Sequence, residues 1–201
     1  MTNIYLVRHG ETELNKKKVY YGWTDVPLTL EGEAECKVVG EKLKDIYFQA
    51  VITSPLIRTI SSSEIITGLN KDEFKIYEEL KEINFGIWEK LHYTEIEKAY
   101  REEWLKWSKD WQGYCLPEGE SFNSFYNRVK LCFNNILEKY KGKTILIVGH
   151  QGALKIIATL ILNLKVEDFW TLTFQSGSYS HFQIDKGDIG TLQGQGKDNT
   201  C

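Results

Sequence analysis

At 201 residues, with 42% hydrophobic and 26% charged side chains, the chain is long enough to bury a full core as one domain. A net charge of −3 removes the basic excess that a general nucleic-acid binder uses to release counterions, and no apolar run is long enough to span a bilayer. The four cysteines (Cys36, Cys115, Cys132 and Cys201) have neither CxxC spacing nor the density of a disulfide framework. They read as reduced thiols of a cytosolic protein, and the N-terminus enters a strand with no basic leader.

Residues 3–8 form a continuous apolar strand of the kind buried on both faces of a parallel sheet. Thr29 caps a helix running to about Tyr47, with Cys36, Val39, Leu43 and Ile46 at helical spacing. Ala50 to Thr53 is a second strand, and Ser54-Pro55 opens another helix with serine as its cap. Phe74 to Tyr77 is a weaker strand. An insertion with helical character follows from about Tyr93 to Trp111, inside a segment of about residues 88–120 that builds the leaving-group side of any site. Its Trp104, Trp107 and Trp111, at i, i+3 and i+7, are read as packing rather than as a ligand platform.

Ser121 caps an amphipathic helix carrying Phe122, Phe125, Val129, Cys132, Phe133, Ile136, Leu137 and Tyr140. Lys143 to Val148 is a buried strand, residues 151–163 an apolar helix, and Gly177 to Ile184 an alternating strand. From Gly187 onward the chain reads as a polar tail, so the domain is expected to occupy residues 1–186. The alternation of strands and helices predicts a three-layer α/β/α sandwich around a mostly parallel sheet.

Ligands in such sheets bind beyond the carboxyl ends of the strands. Arg8-His9-Gly10, Arg58, Glu82 and Gly149-His150-Gln151-Gly152 each follow a strand, so four segments converge on one edge. Two arginines suit the oxygens of a phosphoryl dianion, and backbone N–H groups near Gly10 and Gln151 add donors. A neutral imidazole, His9, serves as nucleophile if its second nitrogen keeps a proton and donates it to a fixed acceptor. His150 donates to a non-bridging oxygen, and Glu82 protonates the leaving alkoxide and then deprotonates water. Local charge alone does not separate Glu82 from Glu78 and Glu79. No residue set matches a divalent-metal site, so no metal or other cofactor is expected.

Leu6-Val7-Arg8-His9-Gly10-Glu11-Thr12 resembles the signature of the histidine phosphatase superfamily, which includes the cofactor-dependent phosphoglycerate mutases. The resemblance continues through Asn15, Gly22-Trp23-Thr24-Asp25, Ser54 to Thr59, Leu80 to Glu89 and Val148-Gly149-His150, and covers nearly the whole chain in order. It implies a phosphohistidine at His9, with Arg8, Arg58 and His150 completing the phosphate pocket. The Leu-x-Glu-x-x-Phe-Gly setting selects Glu82 as the acid/base. Asn15 and Gly22 match positions that contact phosphate or substrate, and Tyr21 and Gln151 join them as candidate substrate-binding residues. The 68 positions from Glu82 to His150 are similar to the compact phosphatases rather than the longer mutases.

Pro117 to Phe122 and Gly177 to Ser180 look most like the α-ribazole phosphatases, which act in nucleotide-loop assembly of cobalamin. The chain departs from the usual pattern at Tyr21, at Lys90 where glycine is common, and at Gln151 where glycine is frequent. The implied partner is a small-molecule phosphate ester, with no nucleic acid and no membrane; an exposed edge strand or aromatic face leaves room for a homodimer.

Overall fold

The first strand shows how the sequence builds the layers. In β1 (Thr2–Arg8) every residue from Ile4 to Val7 is buried, and the pleat sends alternate side chains to opposite faces. Ile4 and Leu6 enter one core; Tyr5 and Val7 enter the other. This is why the run carries no polar alternation. The computed structural model describes residues 1–185 and 190–196.

The first core packs α6 (Phe122–Lys139) and α7 (Gln151–Ile161) on one face of the sheet, and the second packs α2 (Leu30–Leu43) and α3 (Ile57–Thr67) on the other. The result is the expected three-layer sandwich. Its six strands run in the order β3 (Lys75–Ile76), β2 (Ala50–Thr53), β4 (Thr144–Gly149), β1, β5 (Tyr179–Ile184) and β6 (Gly190–Gly196). The first four are mutually parallel, and the last two are antiparallel to their neighbours. In β5 the buried residues are Ser180, Phe182 and Ile184, which gives the alternation visible in the sequence.

A third, smaller core sits under the insertion, where α4 (Tyr93–Ala99) brings Ile96, and α5 (Arg101–Lys109) brings Trp104 and Trp107, onto Trp88 and Leu116. Trp88 is wholly buried, with Trp104 and Trp107 ring centroids 5.7 and 5.8 Å away. Thr29 and Ser121 cap their helices as expected, accepting from Gly32 and Ser124 N–H at 3.0 and 3.2 Å.

Three expectations are corrected, and one element was not foreseen. Helix α2 ends at Leu43, short of Tyr47. Helix α3 begins at Ile57 after Leu56, so Ser54 is not its cap; its hydroxyl is taken by His150 and Thr59. A four-residue helix, α1 (Glu13–Lys16), capped by Thr12, had no apolar periodicity to announce it. Finally, residues 190–196 of the expected polar tail form the outer strand β6, held by backbone pairing that its Gly-rich composition hid; residues 186–189 and 197–201, with Cys201, lie outside the described residues. The described cysteines are free thiols, Cys36 and Cys132 buried and Cys115 exposed. No helix among the described residues is long and apolar enough to cross a membrane.

Lys90, noted above for standing where glycine is common, has φ of +68°. Its backbone turns there so that its N–H reaches the carbonyl of Tyr20 at 2.7 Å. A side chain in this left-handed region costs about 1 kcal/mol that glycine avoids. Lys90→Gly is therefore expected to raise the unfolding free energy by up to about 1 kcal/mol, read from urea midpoints; a loss of stability would contradict the assignment.

Candidate active site

Parallel pairing sets the first distance. β1 and β4 run in register from Asn3↔Thr144 to Arg8↔Gly149, so the next residue of each strand is a histidine. The amide of His9 donates to the Gly149 carbonyl at 3.1 Å. The two rings meet with centroids 5.4 Å apart and planes at 61°. Both residues are buried, at 3% and 1% exposure.

The hydrogen bonds fix both tautomers. His9 Nδ1 lies 2.7 Å from the carbonyl oxygen of Gly10, which only accepts. Nδ1 therefore carries the proton, and Nε2 keeps its lone pair. His150 Nδ1 accepts from Arg58 Nε at 3.2 Å, so its proton sits on Nε2 and is donated to Ser54 Oγ at 2.8 Å. Ser54 in turn can donate to Thr59 Oγ1 at 2.9 Å, and Thr59 to the Leu56 carbonyl at 2.8 Å. Every donor in that chain has an acceptor.

The arginines frame the rings. Arg58, 1% exposed, also donates through Nη1 to the Thr24 carbonyl at 2.9 Å and through Nη2 to that of Gly22 at 2.6 Å. Its guanidinium lies 4.8 Å from the Tyr21 ring centroid. Arg8 donates from Nη1 to Gln151 Oε1 at 2.6 Å and to the Phe174 carbonyl at 2.8 Å. Among the described residues its buried Nε has no acceptor. An unpaired guanidinium N–H costs free energy that an anion would recover.

Burial pushes both histidines well below the ordinary imidazole range, with the charges of Arg58 and Arg8 acting in the same direction. At His150 the neighbouring His9 adds to that effect, and at His9 the Gly10 carbonyl opposes it. Two neutral imidazoles beside two guanidinium groups is the low-energy charge state, and it leaves His9 nucleophilic into mildly acid solution.

Glu82 reaches the same edge from the loop after β3. Its Oε2 accepts from Gly152 N–H at 2.8 Å, at the start of α7, and Oε1 from Ile83 N–H at 3.0 Å. A Cβ at residue 152 would collide with Glu82 Oε1, so glycine there is what admits the carboxyl group. Asn15 Oδ1 collects donors from Thr12 N–H at 3.0 Å and Tyr21 O–H at 2.8 Å. Asn15 also lines the cavity.

A cavity of about 290 Å³ opens over this cluster. Arg8, Asn15, Tyr21, Glu82 and Gln151 line it, while the buried His9, Arg58 and His150 are not among its lining residues. Gly22 does not line it; its carbonyl holds Arg58 from behind. The outer wall is aromatic, from Trp107, Trp111, Phe122 and Trp170. The tryptophans pack as expected, Trp104 and Trp107 on Trp88 and Trp111 on Phe122, and Trp107 and Trp111 also line the cavity.

Several supports escaped the sequence reading. Arg128, on the polar face of α6, donates to the carbonyls of Glu79, Lys81 and Glu82 at 2.7 to 2.9 Å and pairs with Glu120 at 2.6 Å. Glu89 accepts from the N–H groups of Gly22, Trp23, Thr24 and Phe85. Glu89 stood inside a recognised motif, but no sequence spacing links Arg128 to Glu82.

The family model of the histidine phosphatase superfamily (branch 1) matches residues 4–194. The chain belongs to that superfamily. It is 30% identical to the adenosylcobalamin/α-ribazole phosphatase of Salmonella typhimurium over 92% of this chain and 91% of that one. It is 33% identical to a Citrobacter koseri protein named "Probable phosphoglycerate mutase GpmB", over 82% and 76% of the two chains. Among solved structures, the α-ribazole phosphatase of Shigella flexneri superposes with a TM-score of 0.85 at 29% identity, covering 95% and 94%. These superfamily members are phosphatases and mutases of small phosphate esters.

The tautomers and charge states can be read directly. Nitrogen-15 spectra of the free protein at about pH 5.5, one unit below the ordinary imidazole value, are expected to show His9 and His150 still neutral, with protons on Nδ1 and Nε2 respectively. Unfolding restores both rings to the ordinary value, so their contribution to stability is present above about pH 6.5 and is lost as pH falls below it. Imidazolium signals from either ring in the free folded protein at about pH 5.5 would contradict this account.

Proposed function

We propose that the chain is a metal-independent phosphomonoesterase that works through a phosphohistidine on His9. The observation that carries this is the His9 ring, with Nδ1–H held by the Gly10 carbonyl and Nε2 unprotonated between Arg8, Arg58 and His150. Arg8, with a free Nε–H, and Arg58 receive the phosphoryl oxygens, helped by the Asn15 amide. His9 Nε2 forms the N–P bond as the ester P–O bond breaks. Glu82, protonated at that step, gives its proton to the leaving oxygen. The resulting carboxylate then removes a proton from water, which attacks phosphorus and releases phosphate and neutral His9.

His150 begins with its proton on Ser54. Burial first, and then the two guanidinium charges, hold the ring neutral; a bound phosphoryl group offsets those charges, so Nδ1 takes up a proton from solvent as Arg58 turns to the phosphate. Nδ1–H then donates to a phosphoryl oxygen.

For the substrate we infer α-ribazole 5′-phosphate or adenosylcobalamin 5′-phosphate, in cobalamin assembly. The relatives of that name support it, as does an aromatic wall suited to stacking on a benzimidazole ring. The mutase reading is favoured by the Citrobacter koseri relative and opposed by the short stretch from Glu82 to His150, since retaining the phosphoryl group requires a site closed to water.

His9→Ala is expected to lower phosphate-ester hydrolysis by at least about three orders of magnitude and to abolish the acid-labile phosphoenzyme; unchanged hydrolysis would remove His9 from the mechanism. With 3-phosphoglycerate, released phosphate is expected to exceed isomerised product. The reverse ratio would establish the mutase.

A further inference from the structure

The leaving alcohol departs on the Glu82 side, because Glu82 protonates it. Glu82 is bonded to Gly152 at the start of α7, and Lys155 is three residues further along that helix. Lys155 is also four residues after Gln151, which holds Arg8, so it stands about one turn, or ~5.4 Å, beyond the phosphate end. It lines the same cavity and is 7% exposed.

Its ammonium is unusual. Nζ lies 5.0 Å from the Phe169 ring centroid and 5.9 Å from that of Trp170. Among the described residues it has no hydrogen bond or ion pair. Aromatic faces attract a cation but offer no acceptor for three N–H groups, and Nζ, which is not among the fully buried unpaired atoms, keeps access to the cavity's solvent. The two carboxylates lining the cavity are engaged elsewhere: Glu82 with the Gly152 and Ile83 amides, Glu120 with Arg128. Burial lowers the affinity of the amine for its proton, and Glu82 opposes that effect.

Building on the phosphatase reading of the site, we propose that Lys155 receives an anionic group on the leaving alcohol, so that the preferred substrates are phosphate esters whose alcohol carries a carboxylate or a second phosphate. Such a group, a few bonds from the ester oxygen, would meet the ammonium as the phosphoryl group meets Arg8. Neutral alcohols leave that ammonium unsatisfied in the complex. A lysine that merely rests on the aromatic wall, or that acts only on Glu82, would not distinguish the two kinds of ester.

The test compares matched esters that differ in the charge of the alcohol: 3-phosphoglycerate against glycerol 3-phosphate, and α-ribazole 3′,5′-bisphosphate against α-ribazole 5′-phosphate. The wild-type kcat/KM ratio is expected to favour the anionic member of at least one pair by about tenfold or more. Which pair responds identifies carboxylate or second phosphate as the anion. Lys155→Met is expected to bring that ratio close to one, and Lys155→Arg to keep a preference. Wild-type ratios near one in both pairs, or a Lys155→Met enzyme that loses all esters alike, would overturn the assignment while leaving the phosphatase reading intact. An enzyme that hydrolyses none of the four esters would overturn both.

Discussion

The site depends on one constraint: two strands, remote in sequence, pair in parallel and stop in register. Arg8 lies opposite Gly149, and the next residue of each strand is an imidazole whose place is set by the ladder. Side-chain packing on both faces of the sheet fixes that ladder, since a slip of one residue would exchange the two cores. The position of the rings is thus guaranteed by the best-buried part of the molecule.

That placement creates an electrostatic difficulty. Two guanidinium groups and two imidazoles share a region removed from water, where like charges repel strongly. The structure resolves it by keeping both rings neutral and by spending the arginine N–H groups on carbonyls of Gly22, Thr24 and Phe174 and on Gln151. Those acceptors are neutral, so the excess positive charge persists. In the proposed function a phosphoryl dianion cancels it, and affinity for the substrate then follows from the same arrangement that keeps the His9 ring neutral. The segment carrying Glu82 is held differently. Arg128 gathers the carbonyls of Glu79, Lys81 and Glu82, and Gly152 leaves space for the carboxyl group at the head of α7.

Much of this was legible in the chain because it is local. The apolar run ending in Arg8-His9 and its counterpart ending in Gly149-His150 announce buried strands, and strand ends of a parallel sheet share an edge. Thr29 and Ser121 announce helix starts. Other features depend on partners that no spacing reveals. The Ser-Pro at residues 54–55 has the form of a cap, yet the Ser54 hydroxyl is claimed by His150, 96 positions away. The glycines of residues 190–196 resemble a loose tail but complete the sheet through backbone hydrogen bonds alone. Arg128 looks like an ordinary charge on the solvent face of an amphipathic helix. Trp170, which closes the cavity wall, follows a polar stretch with no periodicity to mark it.

The central claim is that His9, His150, Arg8 and Arg58 act as one receptor for one phosphoryl group. A crystal structure with orthovanadate addresses it most directly, because the trigonal oxyanion mimics phosphorus during transfer. The account expects vanadium bonded to His9 Nε2, both guanidinium groups and His150 Nδ1 on its equatorial oxygens, and the Glu82 carboxyl group at the apical oxygen opposite His9. Vanadate bound elsewhere in the cavity, with His9 Nε2 uncoordinated and Arg58 still bonded to His150, would contradict it.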